Sequence, residues 1–90
     1  MDLTLAYDGV DFTMDFHIGA AVPTTFNVWF TFADTILPFW SVPIPAISPP
    51  VDAPVTFPLV PLGNVGVLTT LTTPADGILC SDFKTIDMGP

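Results

Sequence analysis

Ninety residues allow one hydrophobic core, since a chain this short buries only about 60% of its unfolded surface, and the single Cys80 rules out an internal disulfide. The charged side chains are nine aspartates and one lysine, Lys84, for a formal charge of −8. That balance excludes a nucleic-acid binder, whose affinity comes from Lys and Arg neutralising phosphates, and on the same ground it excludes adhesion to anionic membranes.

Leu3, Leu5 and Tyr7 alternate with Asp2, Thr4 and Ala6; Val10, Phe12, Met14, Phe16 and Ile18 alternate with Asp11, Thr13, Asp15 and His17. Two period-2 runs around Asp8-Gly9 predict a hairpin with a two-residue turn, pairing Tyr7 with Val10, Leu5 with Phe12 and Leu3 with Met14 on one apolar face. The same register sets Asp2 opposite Asp15. Such a like-charge pair destabilises unless His17, a cation or the terminal amine offsets it.

Gly19 to Thr25 reads as a connection. In Phe26–Phe32 the residues Phe26, Val28, Phe30 and Phe32 share one face and Asn27, Trp29 and Thr31 the other, the pattern of a central strand with Trp29 on its outer side. Pro38 to Pro61 holds eight of the eleven prolines, yet it also carries ten large apolar residues, including Phe39, Trp40, Val55 and Phe57. Proline donates no hydrogen bond, so this segment is expected against the core as an edge strand, a crossing loop and a second edge strand. Val65–Thr73 and Ile78–Ile86, joined by Pro74-Ala75-Asp76-Gly77, read as a hairpin built on a type I turn.

No segment carries a helical period. Twelve threonines and many Val, Ile and Phe point to β structure. The longest uncharged stretch, Ala53 to Ala75, is broken by four prolines and two glycines, which argues against a membrane-spanning helix. Met1-Asp2 opens no secretory signal, and Gly89-Pro90 reads as the edge of a linker, so an exported form would be a mature or excised segment. The expected architecture is all-β, a small antiparallel β-sandwich of six to seven short strands forming one domain over residues 1–90.

Length and strand count resemble the immunoglobulin-like and fibronectin-type modules of bacterial extracellular proteins. The run Leu62-Gly63-Asn64-Val65-Gly66-Val67-Leu68-Thr69-Thr70-Leu71, with Gly77-Ile78-Leu79-Cys80-Ser81-Asp82, looks like the endings of secreted bacterial domains. The resemblance implies an immunoglobulin-like sandwich and an extracellular or cell-surface location. The chain departs from the immunoglobulin pattern in having no cysteine pair, and its only tyrosine, Tyr7, ends the first strand, so the tyrosine corner is missing.

His17, Cys80, Ser81 and the aspartates are the raw material for nucleophilic catalysis, but no nucleophile elbow or glycine-rich oxyanion loop accompanies them, and no enzymatic activity is expected. Cys80 alternates with Ile78 and reads as a small core residue. One Cys and one His cannot supply the usual zinc, haem or iron–sulfur ligand sets, so no cofactor is expected. Asp2, Asp8, Asp11 and Asp15 fall within fourteen residues without EF-hand spacing; the reading is a solvated acidic face, with calcium at Asp2, Asp11 and Asp15 as the alternative. Trp29, Trp40 and Tyr7 are the interaction candidates. The expected function is a non-catalytic structural or interaction module, docking to a neighbouring protein domain or to copies of itself in an oligomer or filament through apolar faces and strand edges. The alternative is a carbohydrate-binding module that uses exposed Trp and Tyr against polysaccharide.

Overall fold

A computed structural model describes residues 2–89. It contains seven strands: β1 (Asp2–Tyr7), β2 (Asp11–Ala20), β3 (Thr24–Phe32), β4 (Thr35–Ile44), β5 (Ile47–Pro58), β6 (Asn64–Thr73) and β7 (Gly77–Asp87). All pairings are antiparallel, in a three-stranded sheet of order β1-β2-β5 and a four-stranded sheet of order β4-β3-β6-β7. Among the described residues no helix is long and apolar enough to cross a membrane.

The first hairpin forms, but in a register two residues away from the expected one. Tyr7 pairs with Phe12, Leu5 with Met14 and Leu3 with Phe16, so Asp2 lies opposite His17 and Asp15 opposite Thr4. The Asp8 side chain is the cause. Its Oδ1 accepts the backbone N–H of Val10 at 2.8 Å and of Asp11 at 2.6 Å, which widens the turn to Asp8–Asp11 and leaves Val10 in solvent. Gly9 supplies the positive φ of 98° that this turn requires. A slip of two residues keeps every side chain on its expected face, so the apolar pattern alone could not tell the two registers apart.

The inner faces meet in one core. Phe12, Met14, Phe16 and Ile18 of β2 pack toward Phe26 and Val28 of β3 and Val65, Val67 and Leu71 of β6. Phe16 and Phe26 meet edge to face across the sheets at 4.9 Å between ring centroids.

The proline-rich segment supplies one edge strand to each sheet, β4 and β5, and Pro45-Ala46 crosses between them. Residues of one parity in a strand turn their backbone groups to the same side. Pro50, Pro54 and Pro58 share a parity, so a single orientation of β5 sends all three missing donors to the open edge while Ala53, Val55 and Phe57 face the core. Pro38 and Pro43 are five residues apart and could not both face the edge in a regular strand. A bulge at Phe39 resolves the conflict: the register shifts between Val28 and Trp29, placing Pro38 opposite Trp29 and Pro43 opposite Thr25. The bulge also turns the adjacent Phe39 and Trp40 toward the same aromatic cluster.

At the other side of the molecule the edges β1 and β7 lie together. There the N–H of Leu3 donates to Oδ2 of Asp82 at 2.9 Å, which occupies an edge donor with an inward-turned carboxylate.

Candidate interaction surfaces

The two outer faces differ sharply in charge. Asp2, Asp11, Asp15 and His17 project from the outer side of the three-stranded sheet, alternating with the buried Leu3, Phe12, Met14 and Phe16. Asp52 of β5 joins them, completing a rung Asp2–His17–Asp52 in which His17 Nδ1 lies 2.7 Å from Asp52 Oδ1. Asp52 was not among the expected partners of His17, because the β2–β5 pairing joins segments thirty-five residues apart and leaves no local signal. Asp11 and Asp15 are four residues apart on β2, about 13 Å at strand rise, too far to share one ion. Among the described residues no group of three His, Cys, Asp or Glu side chains is placed to hold a metal.

Three more aspartates, Asp8, Asp34 and Asp76, occupy turns, and Asp87 ends β7. Asp82 is the one drawn inward. Lys84 Nζ reaches its two oxygens at 3.2 and 3.1 Å. Partial burial opposes ionisation of Asp82, but hydrogen bonds from Lys84 and from the Leu3 N–H outweigh it and hold the carboxyl below its ordinary value. The Asp8 carboxyl is lowered as well, by the N–H groups of Asp11 and Val10.

The outer face of the four-stranded sheet carries no charge across its paired rows, among the described residues, until Asp87 at the far end. One row runs Pro38–Trp29–Leu68–Phe83 across the four strands. A neighbouring row runs Ser41–Asn27–Thr70–Ser81. Asn27 binds this polar row together: its Oδ1 accepts from Ser41 at 2.7 Å, and its Nδ2 lies 3.2 Å from the hydroxyls of Thr70 and Thr72. Ile36, Ile78 and Phe83 stand on this face at 64, 63 and 49% exposure, an apolar surface left in water. The Phe83 ring lies over Gly66, where a Cβ would come within 2.9 Å of it and would also strike Thr31. Glycine is needed here for space.

The three aromatic candidates do not assemble into one platform. Trp29 stands half-buried on the uncharged outer face. Trp40 is half-buried between the sheets, 6.2 Å from Phe16 and 6.4 Å from Phe26. Tyr7 is packed against the core, with its hydroxyl donating to the carbonyl of Leu59 at 2.7 Å. A cleft of about 260 Å³ beside Trp40's neighbour Phe39 went unforeseen; it is lined only by apolar residues, among them Phe30, Leu37, Phe57 and Leu62. No local pattern announces it, because its walls come from β3, β4, β5 and β6.

His17 projects from the outer face of one sheet, Ser81 lies in the outer row of the other, and Cys80 is half-buried against the core. A base must lie within hydrogen-bond reach of its nucleophile, so His17 cannot serve either residue in this arrangement. The chain matches no family model, and neither a curated protein nor a solved structure is significantly similar to it.

Proposed function

We propose that the chain is a non-catalytic interaction module that docks a protein partner through the outer face of its four-stranded sheet. The observation that carries this reading is the charge-free, apolar face on a molecule of charge −8. The hydroxyls of Ser41, Thr70 and Thr72 already bond Asn27, so covering that part of the face strips little water from unsatisfied groups. The edges are poorer docking sites: prolines line β4 and β5, and Asp82 occupies the Leu3 donor at the β1–β7 seam.

The fold within this reading is an immunoglobulin-like sandwich. Lettered A to G in chain order, the sheets are A-B-E and D-C-F-G, which differs from the immunoglobulin constant arrangement only in that the fourth strand joins C instead of E. An extracellular or cell-surface setting follows from the resemblance to secreted modules and belongs to the same proposal.

Hydrophobic-interaction chromatography of the folded chain tests it. Ile36→Lys combined with Phe83→Lys should elute markedly earlier than wild type. Thr13→Lys with Thr56→Lys, which adds the same charge to the acidic face, should elute close to wild type. Equal elution of the two double variants would refute the reading. Retardation in polysaccharide gels that is lost in Trp29→Ala would favour sugar binding instead.

A further inference from the structure

We propose that the partner of the uncharged face is a second copy of this chain, packed on it face to face about a two-fold axis; this rests on the docking role of that face. Charge selects the partner. A cationic partner would be drawn to the opposite face, where Asp2, Asp11, Asp15 and Asp52 project, whereas the uncharged face favours a surface equally free of charge. The chain itself offers such a surface.

The two-fold arrangement also keeps the two acidic faces apart. Sheets pack about 10 Å apart, so four stacked sheets hold the two acidic faces about 30 Å from each other, some three screening lengths at 0.1 M salt. Any other face-to-face pairing brings carboxylates of at least one copy to the contact. In a two-fold contact the row Pro38–Trp29–Leu68–Phe83 crosses its own copy, and Ile36 and Ile78 of each chain flank the crossing.

The area is sufficient for a weak dimer. Four strands spaced about 4.8 Å apart and nine residues rising about 3.3 Å each span roughly 19 by 30 Å, so two copies bury about 1,100 Å². That is at the lower bound for a specific interface and corresponds to reversible association that depends on concentration. Face-to-face contact uses no backbone donors, so the prolines of the sheet edges do not obstruct it.

Sedimentation equilibrium between about 5 μM and 1 mM tests the proposal. Wild type should rise from 9.6 kDa toward twice that mass, with association strengthened several-fold between 20 and 500 mM sodium chloride as the repulsion between copies is screened. Ile36→Lys with Phe83→Lys should stay at the monomer mass throughout. Thr13→Lys with Thr56→Lys should still dimerise, and near-ultraviolet circular dichroism should show both variants folded. A wild type that is monomeric at 1 mM overturns the homodimer; if it still loses column retention in the Ile36/Phe83 variant, the face docks something other than itself. A dimer that survives Ile36→Lys with Phe83→Lys also overturns the proposal, because a different face then makes the contact.

Discussion

Asp8 and Asp82 show how single carboxylates settle questions that apolar patterning leaves open. Asp8 sets the length of the first turn by accepting two backbone N–H groups, and Asp82 occupies a free donor at the β1–β7 seam while holding the chain's only lysine. Both carboxyls are lowered in the folded state, so the fold favours their ionised forms. The stability they contribute is present above the unfolded carboxylate range, near pH 4, and is lost as pH falls through the lower folded values. Asp82→Asn should therefore cost on the order of 1 kcal/mol at pH 7, discounted for the partial exposure of the pair. Thermal melts from pH 2 to 7 should show the gap to wild type closing below about pH 4. A gap that persists at pH 2 would show that the loss is one of packing.

Edge strands rich in proline fold here because the spacing of the prolines agrees with the strand period, or is brought into agreement. In β5 the four-residue spacing of Pro50, Pro54 and Pro58 agrees with the strand period, and Pro49, of the opposite parity, falls where the register shifts between Ile18 and Ala20; in β4 the five-residue spacing of Pro38 and Pro43 needs one extra residue, and Phe39 is that residue. Deleting Phe39 would force one proline to face β3, losing a ladder hydrogen bond and leaving its β3 partner unsatisfied, a cost of about 1–3 kcal/mol. Phe39→Ala keeps the residue count and loses only part of a half-exposed aromatic contact. Urea denaturation should rank the deletion well below Phe39→Ala in stability. Equal midpoints would mean that the bulge is incidental to the placement of the prolines. The existence and edge placement of β4 and β5 were legible in the sequence from proline content and apolar residues together. The bulge was not, because it arises only when β3 imposes a register on β4.

Charge segregation is a property of the whole molecule. Four aspartates share one outer face, three sit in turns, Asp82 is paired with Lys84, and Asp87, with Asp34 of the β3–β4 turn, borders one end of the uncharged face. A face of separated carboxylates should respond to ionic strength and show no preference among cations at matched ionic strength. Millimolar calcium should therefore raise the melting temperature no more than sodium does. A dedicated site with a Kd of about 10 μM would instead stabilise by about 2.7 kcal/mol at 1 mM calcium, a shift of several degrees. Such a shift, lost in Asp15→Asn, would place an ion on the acidic face.

The sequence by itself determined the all-β class, the two hairpins, the central position of the Phe26–Phe32 strand and the inward face of nearly every strand, because these follow from period-2 alternation and turn chemistry among near neighbours. It also placed Trp29 on an outer face. Only the tertiary structure decided that Asp52 meets His17 and that the uncharged rows of β4, β3, β6 and β7 join into one surface. Each of these depends on which strands become neighbours, and that is set by burial summed over the whole chain, a quantity no local window contains.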